Sequence, residues 1–133
     1  MRLSLDTNIL VFFLYDQDEL CSDVKEILFD YSNTLFTSSI CVHELIHLCQ
    51  IGKIGKDSSQ VLALMNDIGI KIEPVTQKHL SALASLPLMG DHRDPNDRMI
   101  IAQAIVDRIT LVSSDHKFSR YEKFGLNFIF NER

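Results

Sequence analysis

Four acids stand in four separated segments of the chain, at Asp6, Glu44, Asp97 and Asp115. Asp6 ends a short apolar stretch. Glu44 shares a helical face with Ile40, Cys41, Leu48 and Ile51, by i−4, i−3, i+4 and i+7 spacing. A carboxylate inside an apolar stripe costs several kcal/mol unless something compensates it. Asp97 has Ile101 and Ala104 above it at i+4 and i+7, and Asp115 follows an apolar run. Converging carboxylates suit hard divalent cations such as Mg²⁺ or Mn²⁺, which take oxygen ligands. One or two such ions activate water and neutralise a phosphate in phosphodiester cleavage, with no nucleophilic side chain required. Each acid also has a plainer reading. Asp6 can cap a helix, Asp97 can complement a helix dipole, Asp115 can serve a turn, and Glu44 can pair with a buried Arg.

The elements that must position these acids alternate along the chain. Arg2 to Asp6, Thr34 to Thr37, Ile70 to Val75, Thr110 to Ser113 and Asn127 to Phe130 read as strands. Helices are expected over Asn8–Tyr15, Glu19–Tyr31, Ile40–Ile51, from Asp57 to about Asp67, Gln77–Ser85, Asp94 to about Arg108, and Lys117–Phe124. Ser38-Ser39, Asp57 with Gln60, and Thr76 are start signals. Asp94-Pro95 combines a capping acid with proline at the first helical position. The helix after it is apolar nearly all round and should be well buried. Alternating strands and helices imply an α/β fold with a mainly parallel central sheet. Ligands in such folds sit at the carboxyl ends of the strands, where Asp6 and Asp115 fall.

Two other chemistries compete for the same residues. His43-Glu44-Leu45-Ile46-His47 is literally H-E-x-x-H, the zinc-binding helix of metalloproteases. No later segment supplies a third zinc ligand in a recognisable context, and the reading leaves Asp6, Asp97 and Asp115 unused. A phosphotransferase with Asp6 as nucleophile would want a second acid two residues on, where Asn8 stands.

Several strings together resemble the PIN domain, and more narrowly the VapC-type toxins of bacterial toxin–antitoxin pairs. They are Leu5-Asp6-Thr7-Asn8-Ile9-Leu10, the internal Glu44, the run from His92-Arg93-Asp94-Pro95-Asn96-Asp97-Arg98 to Gln103-Ala104, and Leu111-Val112-Ser113-Ser114-Asp115. The resemblance spans the chain, so residues 1–133 are expected to form a single PIN domain. It implies a three-layer α/β/α PIN-like fold and a Mg²⁺- or Mn²⁺-dependent endoribonuclease with one or two ions. Carried over, Asp6 and Asp97 would ligate metal directly and Asp115 would complete the metal site. Glu44 would act directly or through water, with Asn8 and Ser114 as supporting polar groups. Asp94 matches a peripheral position. Asn96 departs from the pattern, since relatives commonly carry an aromatic residue there. A non-catalytic PIN-like binding module is the alternative within the family.

The implied partners are an RNA substrate, a cognate antitoxin and a second copy in a homodimer. Arg93, Arg98, Lys117 and Arg120 are candidate phosphate contacts, and the apolar regions around Phe12, Phe13 and Glu19–Tyr31 are candidate partner surfaces. The composition sets bounds on this reading. With 18 acids and 13 Lys plus Arg, the net charge of −5 argues at first against a broad nucleic-acid face. Setting the four site acids aside leaves the remaining charges nearly balanced. Cys21, Cys41 and Cys49 form no C-x-x-C, which points to a reducing cytoplasmic setting. The apolar run Ile9–Tyr15 is too short to span a bilayer, and neither a signal peptide nor membrane contact is expected.

Overall fold

The computed structural model describes residues 1–133 and builds them around one five-stranded sheet. Its strands are β1 (Arg2–Leu5), β2 (Thr34–Ser38), β3 (Lys71–Glu73), β4 (Thr110–Ser113) and β5 (Phe128–Phe130). All four pairings are parallel, in the order β3-β2-β1-β4-β5. Parallel neighbours need crossover connections, and helices supply them. These are α1 (Thr7–Tyr15), α2 (Ser22–Leu28), α3 (Ser39–Gln50), α4 (Ser58–Ile68), α5 (Gln77–Ser85) and α6 (Pro95–Asp107). Single 3₁₀ segments cover Gln17–Glu19 and His116–Phe124.

Side-chain alternation along the strands separates two cores. Leu3, Leu5, Leu35 and Val112 meet Ile9, Leu10 and Phe13 of α1, Val24 and Leu28 of α2, Val42 and Leu45 of α3, and Val61 and Met65 of α4. Leu111 points the other way and meets Ile100, Ile101 and Ala104 of α6, with Phe118, Tyr121 and Leu126. Helices thus cover both faces, giving the expected α/β/α layering. Helix α6 buries every residue from Met99 to Ala104, as its all-round apolar pattern predicts. Its one polar member, Gln103, donates from Nε2 to the carbonyls of Glu73 and Pro74.

The structure departs from the sequence reading at three places. The helix expected over Glu19–Tyr31 shrinks to Ser22–Leu28. Buried Asn131 accepts from the Cys21 amide at 2.7 Å and donates to the Glu19 carbonyl at 2.9 Å, diverting backbone groups that a longer helix would use. At the other end Asp30 closes a turn on the Ser32 amide. Strand β3 covers only Lys71–Glu73, because Pro74 has no N–H for the ladder. Asp57 caps α4 through the Ser59 amide, and Gln60 returns no reciprocal bond.

Helix α5 is locked to α6 by a residue that the sequence reading passed over. The Thr76 amide donates to Nδ1 of buried His79, so Nε2–H is free to donate to Asp107 at 2.9 Å. His79→Ala removes both partners and should cost about 1–3 kcal/mol in chemical denaturation. It lies outside the acidic cluster described below, and any activity of that cluster should be unchanged in the folded variant.

Candidate active site

The strand order reverses direction at β1. From β1 the chain steps outward through β2 to β3, then crosses back to place β4 on the other side of β1. Such a switch point opens a crevice beyond the carboxyl ends of the two strands. Asp6 follows β1 directly, and its amide donates to the Val112 carbonyl of β4 at 3.2 Å. Asp115 lies two residues beyond β4. The crevice therefore collects acids from both central strands.

Local bonds fix each acid. Asp6 is nearly buried and is the N-cap of α1, accepting from the Ile9 amide at 2.9 Å through Oδ1. Its Oδ2 accepts from the Ser113 hydroxyl. Asp115 caps the 3₁₀ segment by accepting from the Lys117 amide at 2.9 Å, and its own amide donates to Ser113 Oγ at 3.0 Å. Ser113 thus joins Asp6 to Asp115. Glu44 is half-buried on α3 and accepts from the Thr7 hydroxyl at 3.1 Å. Asp94 caps α6 by accepting from the amides of Asn96 and Asp97. That leaves the Asp97 carboxylate free to face the crevice from the first helical turn.

Asp6, Thr7, Asn8, Glu44, Asn96 and Asp97 line one polar pocket, floored by Ile40, Cys41 and Ile100. Asp115 joins the same electrostatic field. Burial, opposed by its hydrogen bonds to Ser113 and Ile9 and reinforced by the charges of Glu44 and Asp115, raises the Asp6 pKa to about 6. Burial and then the charges of Asp94, Asp6, Asp115 and Glu44 raise Asp97 to about 7. No Lys or Arg pairs with any of the four acids, so the buried-Arg explanation of Glu44 falls away. Crowded carboxylates with depressed acidity and no Lys or Arg partner fit a divalent cation, which would hold them ionised.

A fifth group completes the cluster. His92 is buried, and its Nδ1 lies 2.8 Å from the Tyr121 hydroxyl. Its Nε2 lies 3.6 Å from Asp97 and 3.9 Å from Asp115 and has no hydrogen-bond partner. Burial lowers the His92 pKa. In the sequence, His92 stands out only as the first residue of the His92-Arg93-Asp94-Pro95 string. Its position two residues before the Asp94 cap was the available signal, but only the fold turns it inward.

The other sequence candidates divide. Asn8 lines the pocket. Ser114 makes no side-chain hydrogen bond to the acids, and its Oγ accepts from Asn131 at 2.9 Å instead. Three of the four bases are occupied in holding the loop that carries His92. Arg98 donates to the carbonyls of Leu86 and Pro87, Lys117 donates to the Asp91 carbonyl, and Arg120 pairs with the Asp91 carboxylate. Arg93 is exposed and has no side-chain hydrogen bond or ion pair. The H-E-x-x-H histidines, His43 and His47, stay exposed while Glu44 turns to Thr7 and the pocket. The metal-capable trio formed by this chain is His92, Asp97 and Asp115.

Comparison with known proteins gives the family. The PIN domain family matches residues 3–124, and the chain belongs to that family. No curated protein matches it in sequence. Among solved structures it is similar to VapBC2 from Rickettsia felis bound to a promoter DNA fragment. That match has 24% identity and a TM-score of 0.71, covering 99% of this chain and 100% of that one. DNA-bound VapBC from Salmonella typhimurium aligns at 19% identity and TM-score 0.70, over 98% of both chains. A toxin–antitoxin complex from Klebsiella pneumoniae aligns at 19% identity and TM-score 0.66, over 96% of this chain and 95% of that one.

The raised carboxylates have a thermodynamic consequence. Both folded-state values lie above the ordinary 3.8. Between pH 4 and about 6–7 the native state therefore holds protons that the unfolded state has released. Stability from these two groups is present at low pH and is lost as pH rises through that window. His92, with its lowered value, acts in the opposite sense, so a variant difference is the clean measurement. In metal-free buffer at pH 8, Asp97→Asn should melt several degrees above the parent. The gap should close by pH 4, as followed by calorimetry.

Proposed function

We propose that this PIN-domain chain is a metal-dependent endoribonuclease, the toxin of a toxin–antitoxin pair, that cleaves RNA phosphodiester bonds. The observation that carries the reading is the gathering of Asp6, Glu44, Asp97 and Asp115 at the switch point with no Lys or Arg paired to any of them. Family membership supports nuclease chemistry, and the VapBC complexes among the similar structures support the pairing with an antitoxin.

Asp6, Asp97 and Asp115 would hold one or two Mg²⁺ or Mn²⁺ ions. The ion, when bound, supplies Lewis acidity toward the scissile phosphate and lowers the pKa of water. The chain's own groups perform the positioning. Ser113 and the Ile9 amide fix both oxygens of Asp6. Thr7 orients Glu44, whose remaining oxygen is available to accept a proton from a water in the pocket. Asn8 and Asn96 offer amides at the pocket wall for phosphate or sugar oxygens. Exposed Arg93 is the base best placed to meet backbone phosphates, while Arg98, Lys117 and Arg120 serve the loop.

The partner surface we favour is the groove where α1, α2 and α4 meet. Phe29, Tyr31 and Ile68 remain exposed there, next to Phe13 and Leu14. The antitoxin would occupy it, with homodimerisation as a separate association that light scattering reads. A cytoplasmic setting follows from the toxin reading. The three cysteines are unpaired, and no helix is long and apolar enough to cross a membrane. One sheet joining Arg2 to Phe130 supports treating residues 1–133 as one PIN domain.

An RNA cleavage assay with added Mg²⁺ or Mn²⁺ tests the activity. Asp6→Asn and Asp97→Asn should each lower the rate at least about a hundredfold, since a divalent ion contributes several kcal/mol to such a transition state. Circular dichroism should show both variants folded. Parental rates in both would sink the assignment.

A further inference from the structure

His92 is the one buried side chain at the site whose polar atom is left without a partner. The loop before α6 is built to put it there. His92 forms an isolated bridge with Met89, and Asp91 beside it is held by Lys117 and Arg120. The imidazole is wedged edge-on between Phe118 and Tyr121, with ring centroids 5.5 and 5.4 Å away. The Tyr121 hydroxyl meets Nδ1, which leaves Nε2 aimed at Asp97 and Asp115. Those separations, 3.6 and 3.9 Å, are too long for hydrogen bonds. The three candidate donor atoms all lie within 4.8 Å of one another. Donors sharing one divalent ion at about 2.1 Å stand roughly 3–4.2 Å apart, and both His92 separations fall in that range.

We propose that His92 Nε2 is a metal ligand, forming with Asp97 and Asp115 a nitrogen-containing cation subsite beside the all-oxygen pocket of Asp6, Glu44 and Asp97. This rests on the metal-dependent reading above and makes Asp97 the shared wall of two subsites. The donor set has a chemical consequence. Mg²⁺ takes oxygen ligands and gains little from imidazole, whereas Mn²⁺ and the later divalent metals accept it. His92 therefore biases the second subsite toward Mn²⁺. Tyr121 acts as a positioning residue. Its oxygen accepts from Nδ1–H, which fixes the tautomer with the Nε2 lone pair toward the carboxylates.

Mn²⁺ added to the full chain can be read by electron spin echo spectroscopy without any activity assay. The expected spectrum shows nitrogen modulation from one imidazole, converting to the ¹⁵N pattern when the protein is grown on ¹⁵N-histidine. His92→Gln should abolish it and weaken Mn²⁺ binding about tenfold in calorimetry, with a smaller loss for Mg²⁺. Tyr121→Phe should keep the modulation and weaken Mn²⁺ alone. Bound Mn²⁺ without nitrogen modulation in the parent would overturn the inference, and would leave His92 as packing beneath an oxygen-only site. Modulation that persists in folded His92→Gln would also overturn it. Failure of the parent to bind Mn²⁺ at all would sink the metal-dependent reading together with this one. If His92→Gln does not fold, the double variant His43→Gln/His47→Gln decides: modulation should persist in it, and its loss there would overturn the inference.

Discussion

The structure is organised around an electrostatic conflict, the crowding of carboxylates at the carboxyl edge of a parallel sheet. Desolvation and mutual repulsion both oppose ionisation there, and Asp6 and Asp97 register both. The fold tolerates the conflict because much of the restraint is local. Asp6, Asp94 and Asp115 are each N-caps, so they satisfy backbone amides that would otherwise be orphans. The positive ends of α1 and α6 also lie where negative charge accumulates, which lowers its cost. Capping and the proposed metal binding are therefore not alternatives for Asp6 and Asp115. One carboxylate oxygen caps, and the geometry of the cap aims the other.

Long-range bonds then set the register between segments. Ser113 connects the end of β4 to Asp6 at the end of β1 and receives the Asp115 amide. Thr7 reaches across from α1 to Glu44 on α3. Asn131, beyond β5, binds both Ser114 and the approach to α2. A hydroxyl or an amide at each junction converts the sheet's register into a fixed spacing of acids.

Much of this was legible in the sequence, for a reason that can be stated. Strand and helix periodicity is local, so β1, β4, α5 and α6 fall where the spacing predicts. The Asp94-Pro95 entry is equally local, and it places Asp97 in the first turn. What escaped depends on partners far along the chain. Asn131 acts 110 residues from Cys21, and so truncates a helix whose own pattern would run on. Ser113, the last residue of β4, meets Asp6, whereas Ser114 lies just past the strand and is held by Asn131. His92 reads as loop in one dimension. Only the packing of Phe118 and Tyr121 shows that the loop folds inward.

The bases carry the last step of the argument. An acidic site can be neutralised by its own arginines, and this chain has Arg98, Lys117 and Arg120 on neighbouring elements. It uses them otherwise. Arg98 holds the carbonyls of Leu86 and Pro87, and Lys117 and Arg120 hold Asp91. The cationic side chains thus stabilise the loop that delivers His92, while the carboxylates beside it stay unpaired. Pairing them internally would remove the raised pKa values and close the crevice to any external cation. The net charge of −5 is therefore not spread evenly as solubility charge. Part of it is concentrated where the fold withholds its own compensation, which is the condition under which a divalent ion, and through it a phosphate, can be drawn to an acidic protein.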